Sequence, residues 1–147
     1  MLGMLTQLSA ENIDGIFKKY QGKDKVEVVH VPSMLMGLVN MIAPKLSDEL
    51  KVLRHISSVK VLNLDDCSSK VKQQFKKDVK KLTVEGYEEL FKAKGDGELT
   101  EVYTRQKGNR IQEIVLITTG DSDCQMVVLK GNVSMKEVEK YVDKKKG

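Results

Sequence analysis

The stretch "KGNRIQEIVLITTGDSDCQMVVLKGNVS", Lys107 to Ser134, decides how this chain is built. Two apolar runs, "IQEIVLIT" and "CQMVVLKG", stand between the turn signals "GN" and "TGDSD". Gly, Asn and Asp tolerate the positive φ of tight hairpins, so the runs read as neighbouring antiparallel strands. A strand with one wet face would alternate apolar and polar residues, and the first run does not. Ile111, Val115 and Ile117 fall on one side of an extended chain, Ile114 and Leu116 on the other. Such a strand is expected at the centre of a sheet, buried on both faces. The other reading is an apolar sheet face left for a partner.

Upstream, "GYEELFKAK" and "ELTEVYTRQK" are two more strands, joined by "GDG", so the second half is expected to be a four-stranded antiparallel meander. The first half mixes element types. "SAENIDGIFKKY" reads as a helix with Ser9 as its N-cap and Ile13, Ile16, Phe17 and Tyr20 as its apolar stripe. "KVEVVHV", Lys25 to Val31, is a short strand; Pro32 stops it and opens "PSMLMGLVNMIA", a helix apolar nearly all round that Pro44 ends. "SDELKVLRHI" is a short helix capped by Ser47, and a second strand runs from Ser57 to Leu64. From Asp66 to Leu82 comes the most charged helix, with Val71, Phe75, Val79 and Leu82 as its buried stripe. "SMKEVEKYVDKKK" closes the chain as a helix, its start marked by the Ser134 and Glu137 capping box. The expected fold is α+β: a mainly antiparallel sheet with a C-terminal four-stranded meander and helices packed on it, one domain over residues 1–147.

A chain of 147 residues is long enough to build a core without a metal or disulfide staple. Its net charge is +4, and Arg54, Arg105 and Arg110 are its only arginines. Base and phosphate readers lean on the forked guanidinium, so a basic balance made of Lys argues against nucleic acid. Trp is absent. Cys67 and Cys124 are far apart in sequence, and a disulfide or two separate thiols both remain open. No apolar run is long enough to span a membrane. The opening "MLGMLTQLSA" is apolar but lacks a basic leading region, which fits a native start or the stub of a trimmed exported chain.

The residues that usually carry chemistry are scattered. His30 sits at a strand end and His55 in a helix-to-strand connection, with no G-x-S-x-G elbow to pair with either. Neither cysteine forms C-x-x-C, and the two histidines are not at helical chelate spacing, so no catalytic residue, metal or cofactor is expected. "KGDGEL" opens a strand and puts Glu98 after its glycines, where it would repel phosphate. Asp121 and Asp123 lack the remaining ligands of a calcium loop. Asn132-Val133-Ser134 matches the glycosylation sequon, a pattern common by chance.

Two features mark a candidate interaction surface. "KVKQQFKKDVKK" carries Lys72, Lys76, Lys77 and Lys80 around one acid, Asp78, and reads as a solvated helix face or an anion-tracking patch. Glu113 lies in an apolar strand on the side of Val115 and Ile117, so its carboxylate needs a Lys or Arg across the sheet, or a bound partner.

From Glu85 to Tyr141 the order "EGYEELFKAKGDGELTEVYTRQKGNRIQEIVLITTGDSDCQMVVLKGNVSMKEVEKY" resembles the Bacteroidetes domain-of-unknown-function family 4252, with Gly86, Tyr87, Leu90, Glu113 and Gly131 at matching positions. "VVHVPSMLMGLV" and "ISSVKVLNLD" resemble the family's earlier strand, helix and second strand. The resemblance implies a small exported protein, periplasmic or anchored like a lipoprotein at the cell envelope. It supplies no catalytic residues to transfer. The expected function is non-enzymatic binding of a protein or peptide at the envelope. The alternative is a cytoplasmic module that binds nucleic acid through the Lys-rich helix 68–82.

Overall fold

The computed structural model describes residues 12–32, 55–82, 86–134 and 136. Helix α1 (Ile13–Tyr20) and strands β1 (Glu27–Val31) and β2 (Ile56–Asn63) precede helix α2 (Ser69–Lys80). Strands β3 (Glu88–Gly95), β4 (Glu98–Lys107), β5 (Arg110–Gly120) and β6 (Cys124–Ser134) follow. All six strands form one antiparallel sheet in the order β1-β2-β6-β5-β4-β3. The expected α+β class and the four-stranded meander are both present, and β5 and β6 are the two central strands. The "GDG" signal closes β3 onto β4 through Asp96 and Gly97, with φ of 52° and 77°, the left-handed pair that a two-residue hairpin needs.

One sheet face carries the main core. Val115, Ile117, Met126, Val128 and Leu62 point there, and Ile13, Ile16, Phe17 and Tyr20 of α1 with Phe75 and Val79 of α2 cover them. Val71 and Leu82 complete the stripe expected for α2. That helix starts later than expected: Ser68 is its N-cap, its hydroxyl accepting from the Val71 amide. Helix α1 likewise starts at Asn12, whose side chain accepts from the Gly15 amide at 2.7 Å, and not at Ser9. Ser9 lies outside the described residues, as do residues 1–8, residues 33–43 of the helix expected over 32–43, residues 47–54 of the helix expected over 47–56, and Met135 and residues 137–147 of the closing helix; Ile56, the last residue of that second expected helix, instead opens β2.

The two helices are tied by a polar contact at the edge of this core. The Tyr20 hydroxyl donates to Asp78 at 2.5 Å, and the Lys19 ammonium lies 2.7 Å from the same carboxylate oxygen. The Tyr20 and Phe75 rings meet edge-on, 5.5 Å apart.

The second face is also apolar. Antiparallel partners share a face, so the register draws an unbroken row across all six strands: Val29, Val61, Val127, Leu116, Val102, Phe91. Ile56, Ile111 and Val133 form a small buried cluster at one end of this face. Here the alternation in the sequence misleads. A bulge between Ile111 and Glu113 shifts the phase of β5, so Ile111 packs with Ile114 and not with Val115 and Ile117.

Three phenols are held protonated well above their ordinary range. Burial is the main cause for Tyr20, Tyr87 and Tyr103, and each hydroxyl also donates a hydrogen bond to a carboxylate: Asp78, Glu113 and Glu101 respectively. The unfolded chain releases these protons near pH 10, whereas the folded chain keeps them. The folded state then binds more protons, so stability is expected to hold up to about pH 10 and fall above it. Alkaline titration followed by phenolate absorbance, beside denaturation midpoints across that range, checks this. Ionisation of all the tyrosines in the still-folded protein near pH 10 contradicts it.

Candidate functional site

The lysines of α2 do not act as one group. Phe75 and Val79 point into the core, which turns Lys76, Lys77 and Lys80 outward, where all three are exposed. Lys72 is turned the other way and half-buried. Its ammonium donates to the carbonyl oxygens of Asp121 and Ser122, both at 3.1 Å, and so ties the start of α2 to the β5–β6 turn. Asp78, the acid within the run, is taken up by Tyr20 and Lys19.

Glu113 sits at the other end of β5, eight residues from that turn, roughly 25 Å along an extended strand. The structure therefore does not join Lys72 and Glu113 into one site. Arg105 of β4 and Lys130 of β6 stand directly opposite Glu113 on either side. The Tyr87 hydroxyl donates to it, and the Arg105 guanidinium lies over the Tyr87 ring, 4.4 Å from its centroid. The acid in an apolar strand is thus surrounded by two cations and a phenol of its own chain. This explains how it is tolerated there.

A second acid of this kind went unnoticed in the sequence. Glu101 is 8% exposed and lies opposite Ile117 on the core face. Tyr103 donates to it at 2.5 Å, and Lys92 of β3 lies 3.9 Å away. The available signal was the spacing, since Glu101, Tyr103 and Arg105 occur two apart on one strand and hence on one face. At the start of the same strand, Glu98 keeps its proton above the usual carboxylate range because the Asp123 carboxyl hydrogen-bonds to it.

Cys67 and Cys124 are free and buried, and burial raises both thiols. Their separate partners are the carbonyl oxygens of Asp24 and Gly120. Asn132 of the sequon accepts from Arg110 through its side chain at 2.8 Å. His30 is exposed on β1, opposite Lys60. Among the described residues no group of three or more His, Cys, Asp or Glu is placed to hold a metal ion, and no helix is long and apolar enough to cross a membrane.

The surface that stands out is β1. It is an edge strand whose one sheet partner is β2. Glu27, Val28, Val29 and His30 are all exposed; Val28 at 39% and Val29 at 48% are the exposed large apolar residues among those described. One valine belongs to each sheet face, because Val28 pairs with buried Leu62 and Val29 with Val61. The opposite edge differs. β3 has a bulge between Glu89 and Phe91 and carries Glu88, Glu89, Lys92 and Lys94, the devices that keep an edge from pairing with another chain. β1 has no bulge and no lysine. Its composition, "EVVHV", is that of a buried strand, so the sequence alone does not reveal its position.

The family model described as "Domain of unknown function (DUF4252)" matches residues 20–141. No curated protein and no solved structure matches the chain.

Proposed function

The chain belongs to this domain family, and from that premise we propose that it works by binding, with β1 as the edge that takes up an extended segment of a protein or peptide. The exposed, unbulged β1 with its two outward valines is the observation that carries the reading. Strand addition supplies main-chain hydrogen bonds for affinity and alternate side-chain contacts for selectivity. Val28 and Val29 offer such contacts on either side of the sheet.

The setting we propose is the cell envelope of a Bacteroidetes source, reached by export, with the chain periplasmic or anchored like a lipoprotein. The family resemblance supports this setting. Fractionation of the source cells, with the mature N-terminus read by mass spectrometry, tests it, and an unprocessed cytoplasmic protein would count against it.

The binding reading is tested with random linear peptides selected on the immobilised chain. The expected binders alternate β-branched or aromatic residues, and the double change Val28→Lys with Val29→Lys is expected to weaken them at least tenfold. Both positions are exposed, so the fold should lose no more than the roughly 1 kcal/mol spanned by strand propensity. Failure to select any peptide, or binding that survives the double change, defeats the reading.

A further inference from the structure

Resting on that reading of β1, we infer that the segment it takes up is β1 of a second copy of this chain, paired antiparallel about a two-fold axis at Val29. The first ground is the contrast between edges. A contact of β1 with the guarded β3 edge would run head to tail and leave an unguarded β1 free to add further copies, whereas β1 on β1 closes as a dimer and leaves only the guarded β3 edges free. The second is the register. A two-fold between antiparallel strands must pass through a residue paired with itself, because hydrogen-bonded and non-hydrogen-bonded pairs alternate along the ladder.

Three residues within β1 can take that central place with strand on both sides. Centring on Val28 sets Glu27 diagonal to Glu27 of the other copy, a repulsion of like charges. A centre at His30 opposes two imidazoles and brings Pro32, which has no amide hydrogen, opposite Val28. Centring on Val29 sets Val29 against itself, Val28 against His30, and Glu27 against Val31, with the two Glu27 carboxylates at opposite ends of the joint. That register alone keeps the two Glu27 carboxylates apart and the two imidazoles from facing each other, and it covers the most exposed apolar side chain. It also continues the apolar row of the second face from one copy into the next.

The contact is a five-residue strand pair, well below the roughly 1,000 Å² of a stable interface, so the dimer is reversible and forms at high concentration. Sedimentation velocity of the full chain from micromolar to millimolar concentration is the test. The unchanged chain is expected to move from monomer to dimer. Val29→Lys and Val29→Glu, each alone, put two like charges opposite one another and should weaken association at least tenfold. An equimolar mixture of the two should restore it, which a merely misfolded variant cannot do. A chain that stays monomeric throughout, association unaffected by Val29→Lys, or a mixture that fails to rescue each overturns the inference. A monomeric chain that still selects strand-forming peptides removes the second copy but leaves strand addition at β1 standing; loss of both removes both.

Discussion

Replacing Gly131 by Ala is expected to cost about 3 kcal/mol or more, a large part of the stability of a domain this size. Gly131 lies in β6 opposite Ile56, where β2 carries a bulge. A methyl group there would overlap the carbonyl oxygen of His55 and come within 2.9 Å of the Ile56 Cα. Both are backbone atoms, so no side chain can swing aside. The two strands must separate locally, and the small cluster of Ile56, Ile111 and Val133 beneath them loses its packing. Gly120→Ala is the informative comparison. Its methyl would meet mainly the Glu98 side chain, with the nearest backbone atom, the Gly97 oxygen, at 3.2 Å. Denaturant midpoints at unchanged slope should therefore fall much further for Gly131→Ala than for Gly120→Ala. Equal, small losses would show that β2 and β6 do not approach this closely.

Phe75→Ala should be of similar size, about 3–5 kcal/mol, because it deletes a fully buried aromatic side chain. The ring is the main apolar anchor of α2, and it meets Tyr20 of α1 edge-on. Its removal opens a cavity where both helices sit on the sheet. The exposed neighbour Lys76→Ala should by contrast leave the midpoint within about 0.5 kcal/mol of the unchanged chain. The same denaturation experiment checks both, and a loss below about 1 kcal/mol for Phe75→Ala would mean that α2 does not bury this face.

Much of this architecture is legible because it is local. The meander is written in its turn residues, and the α2 stripe in the spacing of Val71, Phe75 and Val79. What is non-local is not legible. No pattern in "SSVKVLNLDD" says that this strand docks beside β6 in preference to β3. The bulge in β5 leaves no residue signature, so strict alternation places Ile111 on the wrong face. Caps are legible only in part, since Ser, Asn and Asp all serve as N-caps and the sequence around each helix start offers more than one of them. Of the candidate surface, Glu113 was conspicuous as an acid among apolar neighbours, but its partners Arg105, Lys130 and Tyr87 come from three other segments. The lysines were visible as a run, yet only the packing of Phe75 and Val79 shows that Lys72 is engaged while Lys76, Lys77 and Lys80 are not. The edge position of β1 depends on the whole strand order.

The place of β2 in that order also governs how the chain reaches its native state. β3, β4, β5 and β6 zip together through short turns, each contact closing little chain. Leu62 must find Met126 on the far side of the intervening helix and three strands. The entropy of closing that long loop is lost before its contacts form, so the meander is the natural nucleus and the β1–β2 pair is a late arrival. Until it arrives, the β6 edge is bare, with the apolar Met126 and Val128 presented to any neighbouring chain. Crowded nascent copies are therefore most at risk of mispairing at β6, a strand whose two edges are both taken up in the finished sheet.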